Sequence, residues 1–464
     1  MSEPKFALAA LMDWLLKPIR TVVQAVLAVA LAILTPIVRL WNRLSQAAKI
    51  LLALVAGLLI GIAVAAYDPS RAVAATAVTQ PIGLAWLHGL QMVIVPLIIG
   101  LLVTGVGAAA NAARAGRIAL RSVISFVVIL WSTTIMAAVV MPVLLDLWPM
   151  PEEWSRALRL ALPSATPVGT VPTLSNFFET IVPSNAISAA VSDSFLPLTI
   201  FSLALAFAIT QLEPVARKQL TDLFQAFTDA MLVIIGWVLK LAPLGVFALA
   251  YGVGARTGAA AFGALVHYIV LVSSIGFIVL LAGYPVAMLY GRVSPLRFAR
   301  AVAPAQAVAI STQSSLASLP AMLNASKELG AAPTTAGIVL PIAVAIFRAT
   351  SPAMNLAVAL YVAHWLGVPI GPGALAAGVV TAAITTMGSI SLPGTISYIA
   401  SVAPVALAMH VPLEALGLLI AVETIPDLFR TVGNVTMDVA VTVGVARRSP
   451  SDGDLDDAPA KTAS

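Results

Sequence analysis

Residues 422–438 read VETIPDLFRTVGNVTMD, and this stretch decides what kind of protein the chain is. At about 100° per residue, a helix places five polar residues on one face: Glu423, Asp427, Arg430, Asn434 and Asp438. Residues 415–422 and 439–446 are almost wholly apolar, so the charges fall at membrane depth. Charges there are costly unless they are paired, hydrated or functional. The stripe predicts a functional site within a membrane helix; the alternative is an Asp427–Arg430 ion pair that only fixes helix packing.

Composition predicts an all-α polytopic membrane protein. Hydrophobic residues make up 60% of the 464 and charged residues 10%, and the mean hydropathy is +1.01, values typical of helical membrane proteins. The net charge of +5 comes from short basic clusters between apolar runs, as in positive-inside loops, so we expect no nucleic-acid partner. The chain has no cysteine, which excludes disulfides, thiolate metal sites and cysteine nucleophiles.

An enzyme is not indicated. The four histidines, His88, His267, His364 and His410, are scattered through apolar segments without metal-ligand spacing and fit structural or interfacial positions better. We therefore expect no cofactor and no metal other than a coupling sodium ion; a proton is the alternative coupling ion.

Hydropathy divides the chain into eight predicted spans: 49–67, 84–106 (interrupted by Pro96), 118–145, 194–210, 223–250, 261–290, 336–366 and 413–446. Residues 148–175 indicate a long external loop. The alternation of basic loops places both termini in the cytoplasm. Within the extension 1–46, the apolar run 21–38 has basic clusters on both sides and favours a helix on the membrane surface, with an extra span as the alternative. The tail 449–464 is polar and predicted to be disordered.

Two broken segments, 301–323 and 373–410, differ from the plain spans. Each is apolar at its flanks and rich in Ser, Thr, Gly and Pro in the middle, and both contain Ser-Leu-Pro, at 318–320 and 391–393. Non-helical backbone at membrane depth is tolerated only when buried in protein or lining a cavity, so we predict two re-entrant hairpins around an enclosed site.

This site has the chemistry to hold an acidic amino acid. Backbone N–H groups at the hairpin tips, with hydroxyls of Ser311, Ser314, Ser315 and Ser389, suit one carboxylate. Arg430 suits a second carboxylate, and Asp427 an ammonium group. The alternative for each single hydroxyl is a bond to its own helix backbone.

These motifs resemble the dicarboxylate/amino acid:cation symporter family, which includes the glutamate transporters. The resemblance covers about residues 49–448. It rests on APLGVFAL at 242–249, VPSN at 182–185, Ser314-Ser315 with Leu319-Pro320, Leu392-Pro393-Gly394, and above all Asp427-x-x-Arg430-Thr-x-x-Asn434-Val-Thr-x-Asp438. It implies a homotrimer, with a static scaffold (mainly 47–110 and 194–260) and a transport domain (mainly 111–145 and 261–448) that moves as an elevator.

The resemblance also implies roles for single residues. Asp427 would receive the substrate amino group, Arg430 its side-chain carboxylate and Asn434 its backbone part, while Asp438, with Asn434, would bind a cation. The rest of the substrate site would come from Ser314, Ser315, Ser351, Ser389, Pro393 and Gly394.

Two departures from the family affect ion coupling. Relatives carry Asn-Met-Asp-Gly-Thr in the seventh span where this chain has Phe347-Arg348-Ala349-Thr350-Ser351, and the third span has Phe126, Ile129 and Leu130 where relatives place oxygen ligands. A hard cation needs such oxygens, so we expect this sodium site to be absent. Our hypothesis is that Arg348 is a surrogate for the missing cation and pairs with Asp427 or Asp438. Two acids would then balance two guanidiniums without any ion.

The sequence thus predicts a symporter for aspartate, glutamate or C4-dicarboxylates in the inner (plasma) membrane, surrounded by the lipid bilayer. Its coupling would use fewer sodium ions, a proton, or no ion. The alternative is a transport-incompetent member of the same fold that binds ligand as a membrane sensor or partner.

Overall fold

A computed structural model describes residues 42–114, 116–161, 182–191, 195–258, 260–388 and 395–448, and these residues form helices and short connections without a strand. The chain divides into an N-terminal unit, 1–49, of which 42–49 are described, and a second unit, 50–464. The predicted surface helix at 21–38 and the tail 449–464 lie outside the described residues, as do Ser389, Pro393 and Gly394.

The helices of the first half are α1 (Gln46–Tyr67), α2 (Pro69–Gln91), α3 (Ile94–Arg114), α4 (Arg117–Leu147), α5 (Glu152–Ala161), α6 (Ala186–Val191), α7 (Phe195–Gln211), α8 (Pro214–Lys240) and α9 (Ala242–Thr257). Those of the second half are α10 (Ala260–Leu289), α11 (Pro295–Thr312), α12 (Ser315–Glu328), α13 (Pro333–Ile346), α14 (Ser351–Leu366), α15 (Pro372–Gly388), α16 (Thr395–Ala408), α17 (Glu414–Leu419) and α18 (Thr424–Arg447).

The chain is a multi-pass membrane protein. Six stretches of the described residues are long and apolar enough to cross a membrane: Ala48–Tyr67, Pro69–Ala113, Arg117–Leu147, Pro214–Lys240, Phe262–Leu289 and Pro333–Leu366. The other two predicted spans are also helical. Helix α7 has only 17 residues and is too short to be counted as a span by length. Helix α18 carries the charged stripe and is too polar to be counted by composition.

Four of the predicted spans are each divided between two helices. The fifth, 223–250, is divided between α8, which ends at Lys240, and α9, which begins at Ala242, and the eighth, 413–446, is divided between α17 and α18. The second span, 84–106, is divided between α2 and α3, and the break lies just before Pro96, whose ring clashes with the carbonyl four residues earlier. The predicted 336–366 helix is wrong as a continuous element, because α13 ends at Ile346 and Phe347 takes extended backbone angles (φ −113°, ψ 104°). Pro352 then occupies the first turn of α14, where the missing N–H costs nothing.

The prediction of a loop over 148–175 is also wrong in part, because α5 lies within it. Glu152 and Arg156 form an ion pair of 2.7 Å at the i,i+4 spacing, and Ser155 Oγ donates to the Trp365 carbonyl oxygen at 3.0 Å. Residues 162–175 lie outside the described part of the chain. Nearby, buried His267 contacts the Tyr361 hydroxyl at 3.0 Å and the Trp148 carbonyl oxygen at 2.8 Å, which fits the predicted structural role.

Both broken segments form pairs of packed helices. Helices α11 and α12 are joined by Gln313 and Ser314, and α15 packs against α16. Gln313 adopts the left-handed backbone conformation (φ 50°) that reverses the chain between α11 and α12. Helices α11 and α12 also pack against α18, so this hairpin lies beside the charged stripe.

The centre of the molecule is built around α10, α14 and α18. Every residue of α14 except His364 is buried. Helices α10 and α18 approach closely at two glycines: a Cβ built on Gly276 would lie 3.1 Å from Phe429 Cβ, and one on Gly283 would lie 2.9 Å from Thr436 Cγ2. This packing holds the N-terminal half of α18 in the protein interior.

Candidate functional site

Arg430 is the centre of the site. Its Nη2 donates to Glu423 Oε1 at 2.5 Å, its Nη1 donates to Asn355 Oδ1 at 2.7 Å, and its Nε lies 3.4 Å from Asp427 Oδ1. The exposed fractions of the three charged side chains are only 8% (Arg430), 4% (Glu423) and 13% (Asp427). The guanidinium is therefore held by three oxygen acceptors away from bulk water.

Glu423 binds two partners at once. One carboxylate oxygen accepts from Arg430, and the other accepts from the buried Tyr268 hydroxyl of α10 at 2.8 Å. The backbone carbonyl of Glu423 accepts from the Asp427 N–H at 2.8 Å, which continues the helical turn into α18. Because seven residues make nearly two turns, Glu423 and Arg430 lie on the same face, as the sequence stripe predicted.

The break between α13 and α14 is bonded to α18 through Thr350. Its N–H donates to Asn434 Oδ1 at 2.9 Å, and its hydroxyl lies 2.6 Å from the Arg430 carbonyl oxygen and 2.5 Å from Asn434 Oδ1. All three residues are buried. Asn434 thus uses its side-chain oxygen to fix the non-helical backbone at membrane depth.

Asp438 lies one helical turn beyond Asn434 and is fully buried. Within the described part of the chain, neither of its carboxylate oxygens has a hydrogen-bond partner. Arg348, on the break between α13 and α14, interacts electrostatically with both Asp438 and Asp427. The pairing of Arg348 with these acids stays a prediction.

The charge balance of the sequence prediction needs correction. It set Asp427 and Asp438 against Arg430 and Arg348, but Glu423 also belongs to the buried group through its bond to Arg430. Three carboxylates and two guanidiniums sum to −1 when all are ionised (2 − 3 = −1). One bound proton or monovalent cation would neutralise the cluster.

Two apolar rings lie at positions where the family resemblance implies cation ligands. Phe126 of α4 and Phe347 of the break are fully buried and stack with ring centroids 4.4 Å apart and an interplanar angle of 12°. Leu130 and Ala349 are also fully buried. Phe126 and Phe347, from distant parts of the sequence, therefore form one contact made of carbon atoms, whereas a hard cation needs oxygen ligands.

The predicted hydroxyls take separate positions. Ser314 caps α12, with its Oγ accepting from the Ala317 N–H at 3.2 Å, and Ser315 and Ser351 are buried. Gln313 Nε2 donates to the Thr424 carbonyl oxygen at 3.2 Å, which brings the hairpin tip next to the start of α18. Among the described residues, no hydrogen bond joins Ser314 or Ser315 to Asp427 or Arg430.

Four contributors were not assigned a site role from sequence: Asn355, Thr350, Tyr268 and Glu423. Asn355 is the single amide in a largely apolar membrane helix, and a polar residue in such a helix indicates a functional position. Glu423 was placed on the stripe but given no role. Tyr268 carried no signal, since an aromatic residue in a membrane helix is ordinary.

Charges paired among the central helices of an all-helical multi-pass protein are typical of the sites of integral membrane transporters. The chain belongs to the sodium:dicarboxylate symporter family, which matches residues 47–448.

Curated relatives cover most of the chain at low identity. It is 25% identical over 409 residues to the proton/glutamate-aspartate symporter of Escherichia coli (strain K12), covering 87% of this chain and 93% of the relative. It is 24% identical over 404 residues to a C4-dicarboxylate transport protein of Deinococcus radiodurans, with coverage of 86% and 88%. It is 25% identical over 379 residues to the proton/sodium-glutamate symport protein of Bacillus subtilis (strain 168), with coverage of 79% and 85%.

Proposed function

We propose that the protein is a secondary transporter that carries acidic amino acids or C4-dicarboxylates across the inner (plasma) membrane with altered sodium coupling. The observation that carries the proposal is the carboxylate of Glu423 bound to the buried Arg430 guanidinium at 2.5 Å. A guanidinium that holds one carboxylate at membrane depth has the geometry to hold another.

Substrate binding would be an exchange of carboxylates. The side-chain carboxylate of the substrate takes the place of Glu423 on Arg430, while Asp427, held by Arg430 at the longer distance of 3.4 Å, receives the amino group. Asn434, Ser314, Ser315 and Ser351 complete the site as the family resemblance implies. The same resemblance assigns Ser389, Pro393 and Gly394 to it, although these lie outside the described residues.

The exchange favours a proton as the coupling ion. Removing one partner from a buried ion pair costs about 3–5 kcal/mol, because the other charge is left uncompensated. A proton taken up by Glu423 removes that cost, and the neutral acid keeps its bond to the Tyr268 hydroxyl. Among the described residues, the groups facing Glu423 are Tyr268, Tyr398, Asp427 and Arg430, and of these only Arg430 is a cation. Two of the relatives carry the word proton in their names.

Sodium would have a smaller role than in relatives with oxygen ligands. The Phe126–Phe347 stack would fill two positions that the resemblance assigns to cation ligands, and Arg348 would supply a fixed positive charge to Asp438. A cation at Asp438 and Asn434 is the remaining sodium site that the resemblance allows. We also propose the arrangement of the family: a homotrimer with cytoplasmic termini, in which a scaffold of 47–110 and 194–260 supports an elevator-like movement of 111–145 and 261–448.

Uptake into proteoliposomes tests the function. Labelled aspartate, glutamate and succinate are offered with a sodium gradient alone, a proton gradient alone, both, or neither. We expect uptake driven by the proton gradient, with little further effect of sodium, and its loss in Arg430→Ala with the protein still folded. Strong dependence on several sodium ions would overturn the coupling proposal, and wild-type uptake by Arg430→Ala would overturn the site.

One observation favours the second candidate, a binding protein of the same fold without transport. Arg430 already has protein acceptors on all three nitrogens, so the cluster is also suited to hold α18 in place. In this case labelled aspartate would bind to the purified protein, yet neither net uptake nor exchange would occur in proteoliposomes.

A further inference from the structure

A cavity of about 630 Å³ lies between α4, the end of α10 and Arg448, away from the charged cluster. Arg121 lies near the start of α4, while Tyr290 and Arg448 directly follow the ends of α10 and α18. Basic residues gather at these helix ends, including Arg117, Arg292 and Arg447. By the positive-inside rule, this end of the cavity belongs to the cytoplasmic membrane surface.

The polar end of the cavity has a fixed geometry. Arg121 Nη1 donates to the Arg448 carbonyl oxygen, and the Arg448 guanidinium lies 4.5 Å from the centre of the Tyr290 ring. The Tyr290 hydroxyl is 3.1 Å from Ser125 Oγ. Among the described residues, no carboxylate forms an ion pair with either arginine.

The rest of the lining is apolar and runs deeper into the membrane. Ile124 and Val128 follow Arg121 by three and seven residues, which places them on the same face of α4, about 4.5 and about 10.5 Å further along the axis. Their exposed fractions are 55% and 57%. On α10, Leu289 and Pro285 continue from Tyr290 in the same direction. Both walls are therefore apolar beyond the polar end that Arg121, Tyr290 and Arg448 form.

We infer that this cavity binds one anionic phospholipid of the cytoplasmic leaflet. The phosphate lies against the guanidiniums of Arg121 and Arg448, and one acyl chain follows Ile124 and Val128. Charge complementarity selects an anion, and the apolar walls beneath the arginines select a ligand that continues as hydrocarbon. A basic pocket between helices at the cytoplasmic side has this chemistry in membrane proteins generally. The inference does not depend on the transported substrate.

Thermal unfolding of the purified, delipidated protein in detergent tests the inference. Phosphatidylglycerol and phosphatidylcholine with identical acyl chains are titrated separately. Each basic residue near a membrane surface contributes roughly a factor of five in affinity for an anionic lipid, so two predict roughly a twenty-five-fold lower half-maximal concentration for phosphatidylglycerol. The double variant Arg121→Gln/Arg448→Gln should lose this preference. The matched control Arg71→Gln/Arg156→Gln removes two exposed arginines elsewhere and should keep it.

A second variant tests the apolar part independently of charge. Val128→Trp narrows the hydrocarbon path and should weaken the effect of both lipids while leaving Arg121 and Arg448 in place. Mass spectrometry of the lipid extract measures how much phosphatidylglycerol co-purifies with each variant. This amount should be lower for the double arginine variant and for Val128→Trp than for the wild type.

Several results would overturn the inference. Equal stabilisation by the two lipids, or an unchanged preference in the double arginine variant, would place any lipid effect elsewhere. Stabilisation by inorganic phosphate or glycerol phosphate alone would identify a site for free anions. If the lipid acts only after the aspartates of the 449–464 tail are replaced by asparagine, the tail is the occupant.

Discussion

Replacing Glu423 by glutamine separates the two roles that the structure gives to this side chain. Glutamine keeps the shape and the bond to Tyr268 but holds Arg430 without a charge. Hydrogen bonds to a charged group contribute about 1.5–3 kcal/mol. The Arg430 bond stays within this range in the variant, but it moves toward the lower end because an amide lacks the charge of the carboxylate. The variant should therefore release Arg430 more easily, by about 1 kcal/mol, which corresponds to roughly fivefold tighter binding of aspartate.

The same substitution should remove the pH dependence of binding. In the proposed exchange, the substrate displaces Glu423 from Arg430 and Glu423 takes up a proton, so the affinity of the wild-type protein should fall as the pH rises. Glu423→Gln resembles the protonated state at every pH, and its affinity should stay flat.

The assay is equilibrium binding of labelled aspartate to the purified protein between about pH 5 and about pH 8, the range in which a coupling proton has to bind and leave. Asp222→Asn is the control, because Asp222 is exposed and paired with Lys218 on the surface of α8, and it should keep the wild-type pH profile. A wild-type slope in Glu423→Gln, or loss of binding in folded Glu423→Gln, would refute the reasoning.

Three further predictions concern the neighbours of the site. Phe347→Ala removes a fully buried ring from the stack and should lower stability by about 3–5 kcal/mol. Phe277 is 47% exposed, so Phe277→Ala should change stability by no more than about 1 kcal/mol. Equal unfolding midpoints of the two variants in one detergent would contradict this. Arg348→Gln removes the positive charge facing Asp438, so sodium should raise the melting temperature of this variant and not that of the wild type. Equal effects of sodium on the two proteins would contradict the surrogate role of Arg348. Gly433→Ala places a methyl group 2.3 Å from Thr350 Cγ2 and should weaken aspartate binding, while Gly236→Ala, with nothing within 4 Å of its new methyl group, should not; the comparison fails if both variants bind alike.

Much of the site was predictable because its charged residues lie on one helix. A single periodicity places Glu423, Asp427, Arg430, Asn434 and Asp438 on one face. The partners from other helices were not predictable in this way. Asn355 and Thr350 are 75 and 84 residues away from the α18 residues that they bond, and only packing brings them together. The predicted balance of two acids and two arginines was wrong for the same reason: the sequence does not show which acids are buried together, and Glu423 was left out.

The errors in the fold arose where local signals compete with hydropathy. Residues 336–366 are apolar enough to be drawn as one helix, but Pro352 and the Thr350–Asn434 bonds stabilise a break at Phe347–Thr350. In 148–175 the prolines outweighed the Glu152–Arg156 spacing, although i,i+4 ion pairs are a helix signal. By contrast, the third and sixth spans, which have strong hydropathy and clear ends, were predicted to within about two residues, the usual disagreement at helix ends.

Two glycines of α10 prevent α18, the helix with the charged stripe, from sliding along α10. Gly276 and Gly283 are seven residues apart, and so are Phe429 and Thr436, which they face. Sliding either helix by one residue would press a larger side chain into backbone, so the pair has a single register. In the transport mechanism that we propose, α10 and α18 therefore move together as one body, and a covalent link between them should leave uptake intact.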